Sequence, residues 1–361
     1  MNHSSKHVER CSLDFIYLSK LTLYNSPRIL LLLFLLPLMQ CKPEEKAPPV
    51  AFPYVRPLVW NDTLLNAPFA PRQLSSAMIK VQPDSLLHVS FKPEIYSALK
   101  QQEKYLLRPD VDQYPVRGIH KKELLKTVRL LNASSLEPFA LQRYFDFYQI
   151  NTELQNDRVR ITGYYTPTID ASRSSTGSHP VPMLKWPKED KDIPVPAPAS
   201  IEAGALNGYG LDLAWIKSKK ELRNAQLQGS CMVQFPDGDN DFLGFGGSVK
   251  GAGGTYVFFK KMGKEVLGSG SFALTAGYSA AIDPRFIPIG ASLLAELPVC
   301  DKAGNVVAHE YRIIFAQDRG GAIKTTKRMD LYCGIGNKGL DAAKRVNSYG
   351  RLWLILPKRE F

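Results

Sequence analysis

The chain has 361 residues, of which 44% are hydrophobic and 22% charged, a composition typical of a folded globular protein rather than a disordered one. This length allows two domains with a sizeable core. A net charge of +12 favours binding to nucleic acid, to anionic membranes and to acidic polymers alike, so it does not distinguish these partners. The sequence has no basic stripe with interleaved aromatics, no zinc-finger spacing and no RNA-binding signature, so we do not expect nucleic-acid binding.

A short apolar run near the N-terminus predicts export. Residues 29–39 are apolar, too few for a membrane-spanning helix but typical of the hydrophobic region of a signal peptide. Cys41 follows closely, and the sequence LMQC at 38–41 resembles a bacterial lipobox, whose cysteine carries a lipid. We therefore expect a signal peptide over 1–40 and lipidation of Cys41. Cleavage nearby without a lipid is the alternative.

A proline-rich segment follows the predicted lipidation site. Residues 42–57 contain five prolines, which favour an extended polyproline II conformation. We expect a semi-rigid stalk over residues 41–75.

Periodicity predicts helices first and strands afterwards. Leu124, Leu125, Val128 and Leu131 recur at helical spacing, and a second helix start is indicated at 135–138. Alternation over 157–167 predicts a strand, so we assign 76–167 to N-terminal helices and the first strand of the main domain.

Residues 168–254 show short strand and loop signals, and we interpret them as an all-β insertion. It includes a strand over 225–235 and a hairpin turn at 236–238. The glycine-rich segment 244–254 lacks the frame of a phosphate-binding loop.

The last segment, 255–361, predicts a compact β-barrel with one short helix over 339–350 that ends at Gly350. Its predicted strands cover 255–261, 271–282, 291–297, 310–318, 328–334 and 351–357.

Several kinds of site are disfavoured by residue spacing. The six histidines form no zinc-binding motif, and the sequence has no GxSxG motif for a serine nucleophile. Cys231, Cys300 and Cys333 form no CxxC pair, so we expect buried side chains rather than disulfides or a zinc site. These exclusions leave carboxylate chemistry.

Two aspartates near the C-terminus are the candidates for that chemistry. Asp318 ends an apolar strand and precedes a Gly-Gly turn, while Asp330 lies within a strand whose alternation places Arg328, Asp330 and Tyr332 on one face. Burial beside an aromatic favours a protonated acid and nearby cations oppose it. A solvated rim of ion pairs is the alternative.

Nine segments together resemble the membrane-bound lytic murein transglycosylase A family. Four of them look like its 3D domain, named for three aspartates, here Asp283, Asp318 and Asp330: 274–291, 316–324, 328–336 and 350–357. Five more resemble the rest of the family: TGYYTP at 162–167, IEAGAL at 201–206, LAWI at 213–216, LQGS at 227–230 and YVFF at 256–259.

The resemblance implies a mainly β protein with N-terminal helices, in which a double-psi β-barrel carries a second, smaller β-barrel domain inserted over 168–254. It also implies cleavage of the β-1,4 bond between N-acetylmuramic acid and N-acetylglucosamine, leaving a 1,6-anhydromuramoyl end. A non-catalytic peptidoglycan-binding lipoprotein and a muramidase-type hydrolase are the alternatives.

The resemblance also assigns site residues. Asp330 is the expected catalytic acid, with Asp318 as its companion. Expected substrate-binding residues are Tyr164, Tyr165, Gln228, Gly229, Ser230, Thr275, Gly277, Asp283, Gly320, Gly321 and Lys324. Asp283 also has a structural interpretation, as the cap of a turn.

The resemblance implies no cofactor or metal. The expected partners are peptidoglycan strands and, through the lipid, the outer membrane. We expect a monomeric lipoprotein that faces the periplasm. In two respects the sequence departs from the family pattern. Only residues 231–255 separate LQGS from YVFF, which predicts a shortened insertion, and Arg319 stands where a small residue is common.

Overall fold

The computed structural model describes residues 52–53, 78–83, 86, 89–90, 92–111, 119–133, 138–150, 158–188, 193–301 and 303–358. The predicted signal peptide, Cys41 and all of the predicted stalk except 52–53 lie outside these residues. None of the described helices is both long enough and apolar enough to cross a membrane.

Six helices lie in the described part of the chain. They are α1 (Glu94–Leu106), α2 (Lys121–Ala133), α3 (Pro138–Tyr144), α4 (Pro198–Glu202), α5 (Lys219–Gln228) and α6 (Gly336–Arg345).

The strands divide into two sheets. The first five strands in the chain belong to the first sheet: β1 (Phe52–Pro53), β2 (Met78–Lys80), β3 (Val89–Ser90), β4 (Phe145–Ile150) and β5 (Val159–Thr166). The second sheet contains β6 (Thr168–Ser172), β7 (Val181–Leu184), β8 (Asp212–Ile216), β9 (Ser230–Gln234), β10 (Asn240–Gly251) and β11 (Gly254–Lys261). The chain then returns to the first sheet with β12 (Ser279–Ile282), β13 (Ser292–Cys300), β14 (Val306–Arg319), β15 (Arg328–Ile335), β16 (Asn347–Gly350) and β17 (Leu352–Pro357).

The first sheet has eleven strands in the order β16-β5-β15-β12-β14-β13-β17-β4-β2, with β1 and β3 paired to β14. Along this order β5 runs parallel to β15, and β12 runs parallel to β14; the other pairs are antiparallel. Hydrogen-bonded pairing among the described strands follows an open path, without the ring of a closed barrel. The prediction of a mainly β fold with N-terminal helices is confirmed.

The N-terminal helices pack on the main sheet through apolar faces. In α1, Ile95, Ala98, Leu99 and Leu106 are buried at a spacing of three or four residues. In α2 the buried residues include Leu124, Val128 and Leu131, as the periodicity predicted. Both helices join one core with the inward side chains of β13, β14 and β17.

The second sheet is inserted between β5 and β12 and has its own core. Its order is β11-β10-β9-β6-β8-β7, and a bridge between Lys185 and Phe259 joins the segment after β7 to β11. Pro167 alone separates β5 from β6. Ile169, Val233 and Phe258 are among the residues of this second core.

The insertion is not all-β, because it contains α4 and α5. Residues 225–228, predicted as strand, are the last turn of α5, and only 230–234 of that prediction is a strand. Ser218 and Glu221 form a capping box at the start of α5, and Gly229 ends it at φ 76°. The predicted hairpin turn at 236–238 is confirmed, since β9 and β10 are antiparallel.

Three other predictions need correction. The predicted strand over 255–261, assigned to the main domain, is β11 of the second sheet, because it pairs with β10. The predicted strand over 271–282 is only four residues long, Ser279–Ile282, because the preceding segment forms turns. The predicted helix over 339–350 is α6, which ends at Arg345; Gly350 instead ends β16, which pairs with β5. Of the three cysteines predicted to be buried, Cys231 is, whereas Cys300 and Cys333 are half-buried.

Candidate active site

Asp318 and Asp330 lie at the same level of the main sheet, on either side of β12. Ala281 of β12 is the register partner of Asp318 on β14 and of Asp330 on β15. Two strand spacings, about 10 Å, therefore separate the two backbones. After β14 the chain turns at Gly320, whose carbonyl accepts a hydrogen bond from the backbone N–H of Ile323.

Asp330 is held by two side chains. The Thr162 hydroxyl donates to Oδ1 at 2.5 Å, because β5 runs parallel to β15 with Thr162 opposite Asp330. The guanidinium of Arg328 donates from Nε to Oδ1 at 2.8 Å and from Nη2 to Oδ2 at 3.0 Å. The Asp330 side chain is 16% exposed, so it is shielded but reachable from solvent. The predicted common face of Arg328 and Asp330 is confirmed.

Asp318 accepts hydrogen bonds from a different set of donors. Its Oδ1 accepts from the backbone N–H groups of Ser269 and Arg319, each at 2.9 Å, and its Oδ2 accepts from the Tyr164 hydroxyl at 2.9 Å. Burial raises the pKa of Asp318, and these hydrogen bonds oppose that rise. The carboxyl is therefore fixed on three sides.

Tyr164 donates to Asp318 and is affected by the charges of both aspartates. Burial, and next to it the charge of Asp318, raise the pKa of Tyr164 well above its ordinary value, so the phenol stays protonated and donates. The charge of Asp330 acts on Tyr164 in the same direction. The Tyr164 ring lies 5.3 Å from that of Tyr332, whose hydroxyl shares a hydrogen bond with Thr166 at 3.1 Å.

The loop that carries Ser269 is anchored by α1. Tyr105 packs against Phe272 with ring centroids 4.4 Å apart, and Arg108, just beyond the helix, donates to the carbonyl of Gly270 at 2.9 Å. The helices thus support the backbone donor that holds Asp318.

Asp283, the third aspartate of the 3D-domain resemblance, stabilises a turn. Asp283 is buried and accepts from the backbone N–H of Arg285 at 3.1 Å, which agrees with the predicted cap of a turn. Arg285 pairs with Asp283 and also donates to the carbonyl of Lys324 at 2.5 Å. This pair ties the turn after β12 to the loop between β14 and β15, while the Lys324 side chain is exposed.

The segment Gln228–Ser230 joins the two sheets. Gln228 Oε1 accepts from the backbone N–H of Tyr165 at 3.1 Å, and the Ser230 hydroxyl bonds that of Thr166 at 3.0 Å. Gly229 is the left-handed cap of α5. Ser230 is buried, so its predicted role as a donor to substrate is not supported.

The two neighbouring tyrosines differ in their surroundings. Tyr165 is 8% exposed and its hydroxyl accepts from Asn224 at 2.9 Å, so its ring offers no face for stacking on sugar. Tyr164 is half-buried, with its hydroxyl on Asp318.

The predicted glycine and threonine contacts lie in turns around the aspartates. Gly277 has φ 77° and donates to the carbonyl of Tyr332 at 2.7 Å, and the carbonyl of Thr275 accepts from the two backbone N–H groups of 278–279. A Cβ on Gly320 would approach the Ile323 side chain, whereas one on Gly321 would meet nothing within 4 Å. A side chain at position 321 would therefore have open space around it.

Sequence reasoning missed Thr162 and Ser269. The ion pair of Arg328 with Asp330 belonged to the alternative of a charged rim, and the structure contains it. The polar position of Thr162 in the alternating strand was a usable signal, but its partner depends on a parallel register. Arg319 contributes its backbone N–H to Asp318, and its side chain is exposed. In the described part of the chain, His, Cys, Asp and Glu form no group of three or more that would hold a metal ion.

Two family models match the chain. The MltA specific insert domain matches residues 160–283 and the 3D domain matches residues 278–356, so together they span more than half of the sequence.

Two curated relatives of the chain carry the same name. Membrane-bound lytic murein transglycosylase A of Escherichia coli strain K12 is 29% identical over 255 residues, covering 58% of this chain and 69% of the relative. The protein of that name from Vibrio cholerae serotype O1 is 24% identical over 310 residues, covering 73% and 82%.

Solved structures share the fold. E. coli MltA with bound chitohexaose has a TM-score of 0.64 at 24% identity and covers 80% of this chain and 96% of its own. A membrane-bound lytic murein transglycosylase from Agrobacterium tumefaciens has a TM-score of 0.65 at 18% identity, covering 78% and 98%. The arrangement of the two sheets is therefore that of these proteins.

Proposed function

The chain belongs to the membrane-bound lytic murein transglycosylase A family, and from that premise we propose that it cleaves the MurNAc-β-1,4-GlcNAc bond of peptidoglycan and leaves a 1,6-anhydromuramoyl end. The relatives are named for lytic transglycosylase activity, and one solved structure holds chitohexaose, a glycan. The 1,6-anhydro product and the residue roles are our proposal.

The unlike environments of the two aspartates carry the proposal. Asp318 accepts from two backbone N–H groups and one phenol, which fix it as an acceptor. Within the described residues, Asp330 accepts from the side chains of Thr162 and Arg328, which rearrange more readily than backbone. A glycosidase that adds water normally uses two carboxyl groups with separate roles. A single carboxyl group held by side chains, beside one fixed by backbone, fits a reaction in which one acid acts and the substrate supplies its own nucleophile.

In the proposed reaction, Asp330 donates one proton and receives one back. Its carboxyl proton passes to the glycosidic oxygen as the bond from that oxygen to C1 of muramic acid breaks. The 6-hydroxyl oxygen of the same sugar bonds to C1, and its proton passes to the Asp330 carboxylate. The tethered hydroxyl replaces water, which makes a second catalytic carboxyl group dispensable. Asp330 ends the reaction protonated, as it began.

Asp318 and Tyr164 form the support of this site. The Tyr164 phenol holds one oxygen of the Asp318 carboxyl group, and the open space around Gly321 leaves room for sugar. Lys324, exposed on the same loop, suits the acidic groups of the stem peptide. No step requires a metal or cofactor.

The proposed location is the cell envelope. The named relatives are membrane-bound, and the predicted signal peptide with Cys41 fits an outer-membrane lipoprotein that faces the periplasm. Its partner there is the glycan strand, and the proposed state is a monomer.

Digestion of purified peptidoglycan by the wild-type protein, Asp330→Asn and the control Asp341→Asn tests the proposal. Asp341 is exposed on α6, so Asp341→Asn makes the same chemical change away from the site. Mass spectrometry should find anhydro ends with the wild type and the control. Loss of general-acid catalysis should slow Asp330→Asn by roughly 100-fold or more while peptidoglycan binding persists.

Other products would identify the alternatives. Reducing ends from the wild-type protein would assign a muramidase-type hydrolase. Binding without any cleavage would assign a non-catalytic peptidoglycan-binding protein.

A further inference from the structure

A cavity of about 370 Å³ lies in the inserted part of the chain, and neither Asp318 nor Asp330 lines it. Its walls are β7, α5, β11 and the end of α4 with the turn that follows it. Leu184, Ile201 and Leu222 line the cavity and belong to the second core, so part of its surface is apolar. The volume is within the range of small-molecule binding sites.

Tyr256 of β11 lines this cavity with a phenol that has no hydrogen-bond partner among the described residues. The residue is only 3% exposed. Burial raises the pKa of Tyr256 to about 12, so the phenol is protonated and able to donate. A buried donor without an acceptor is costly, and most buried polar groups in proteins are paired. A ligand in the cavity that accepts a hydrogen bond would supply the missing partner.

Helix α5 adds two cations to the same cavity. Lys219 and Arg223 both line it, and their spacing of four residues places them on one face of the helix. Arg223 pairs with Glu202 at 3.2 Å, but these side chains are 56% and 37% exposed, so the pair is weak. Two cations against one carboxylate give the cavity an excess of positive charge, which favours an anion.

We propose that this cavity binds the carboxylate end of a short peptide with small apolar side chains, such as the alanine end of a peptidoglycan stem peptide. Tyr256 donates to the carboxylate, Lys219 neutralises its charge, and the methyl groups of the peptide pack on the apolar wall. The Glu202 carboxylate in the same cavity disfavours an anion of higher charge such as phosphate. The choice of a stem peptide rests on the function proposed above.

The cavity lies close to the catalytic site along α5. Gln226 lines the cavity, and Gln228 accepts a hydrogen bond from the backbone N–H of Tyr165 in β5. An α-helix rises about 1.5 Å per residue, so these two glutamines are close in height along the helix. Tyr164, the preceding residue of β5, donates to Asp318. Muramic acid carries the stem peptide, so the peptide of a sugar bound near Asp318 has a short path to the cavity.

Methyl NMR of the whole protein, titrated with N-acetyl-D-alanyl-D-alanine, tests this binding. The methyl signals of Leu184, Ile201 and Leu222 report on the cavity wall. The C-terminal amide of the same dipeptide keeps both side-chain methyl groups but lacks the carboxylate, so it is the control probe. We expect the dipeptide to shift these signals and to bind roughly tenfold more tightly than its amide.

Two variants are compared, each with a matched control. Tyr256→Phe removes the hydroxyl in the cavity, whereas Tyr96→Phe removes one from an exposed tyrosine of α1. Lys219→Gln and Lys220→Gln each remove one charge from α5, and of the two lysines Lys219 lines the cavity. Tyr256→Phe should raise the Kd of the dipeptide roughly tenfold and Lys219→Gln severalfold, while both controls match the wild type.

Three results would overturn the inference: equal binding of the dipeptide and its amide, absence of shifts at the cavity methyl groups, or a Kd in Tyr256→Phe equal to that in Tyr96→Phe. Tyr256→Phe should fold as the wild type does, because the lost hydroxyl has no partner in the described part of the chain. If it does not fold, the Kd of Lys219→Gln decides, since the Lys219 side chain is exposed.

The assignment to the stem peptide has a separate measurement. Tyr256→Phe should raise KM for intact peptidoglycan severalfold, leave KM for glycan strands stripped of peptide unchanged, and leave kcat unchanged on both. An equal effect on both substrates, or none on intact peptidoglycan, would overturn this assignment. The NMR titration requires no cleavage, so a protein that binds the dipeptide and cleaves nothing would refute the proposed function and not the carboxylate site.

Discussion

Asp318 and Asp330 differ in what would be lost if one donor were removed. Asp318 would keep its two backbone donors, which no substitution of a side chain removes directly. Asp330 depends on Thr162 and Arg328 alone among the contacts described. The position of the Asp318 carboxyl group is therefore fixed by the backbone, whereas that of Asp330 depends on two side chains that can be substituted.

Tyr164→Phe should lower activity about 10-fold with little change in KM. The change removes the hydroxyl that donates to Asp318 and leaves the ring against Tyr332. That hydrogen bond lowers the pKa of Asp318, so its loss raises the pKa further and weakens the fixed charge. Initial rates over a range of peptidoglycan concentrations provide the measurement.

The control is Tyr209→Phe, which removes a hydroxyl from an exposed tyrosine between α4 and β8. Equal rates in both variants would contradict a role for the Tyr164 hydroxyl.

At the scale of elements, a buried charge cluster joins β13 to the ends of β5 and β17. Glu296 is 5% exposed and pairs with Arg158 at 3.4 Å and Arg351 at 3.1 Å. Burial opposes ionisation of Glu296, but Arg351 and Arg158 outweigh it and lower its pKa. The cluster therefore holds three strands together as long as Glu296 is ionised.

Glu296→Gln should cost about 3 kcal/mol of unfolding free energy at neutral pH, because Arg158 and Arg351 lose the negative charge that they share. The pKa of Glu296 is lowered by folding, so its contribution is present above the unfolded value, about 4.3, and is lost as pH falls through the folded value. Urea unfolding at pH 7 and near pH 3 should show a smaller difference between variant and wild type in acid. An equal difference at both pH values would contradict the lowered pKa.

The elements also show which features a sequence predicts. The apolar spacing of α2 and the alternation of β5 reflect local periodicity, and both predictions are confirmed. Helix α5 was missed although Ser218 and Glu221 already formed a capping-box pattern, because the following AQLQ segment was assigned to a strand. The end of α6 depends on the pairing of β16 with β5, which no local pattern reveals.

The site was predictable in its residue types but not in its contacts. Asp318 and Asp330 were candidates from the Gly-Gly turn and the strand alternation, and the resemblance then assigned their roles. The donors Thr162 and Tyr164 come from a strand more than 150 positions away, and their contacts depend on the parallel register of β5 and β15. A one-residue shift would turn Thr162 to the opposite face.

At the scale of the whole molecule, the two sheets should unfold as one unit. They have separate cores, but Pro167 is the only residue between β5 and β6, and Thr166 and Tyr165 bond directly to Ser230 and Gln228. Movement of one sheet would therefore break hydrogen bonds of the other.

Unfolding in urea should give coincident transitions by far-ultraviolet circular dichroism and tryptophan fluorescence. Trp353 reports on the main core, while Trp186 packs on the core of the second sheet. Ser230→Ala removes one link and should lower the common midpoint, since Thr166 loses a buried partner. Two separate midpoints in the wild-type protein would contradict coupling of the sheets.

The adjacency of β5 and β15 has a consequence for the continuity of the backbone. The chain leaves the main sheet after β5 and returns at β12, so the two halves of the site come from opposite sides of the insertion. Non-covalent pairing, rather than the intervening chain, holds Thr162 beside Asp330. A single protease cut in an exposed loop such as 173–178 would thus leave both fragments in one sheet with the site assembled.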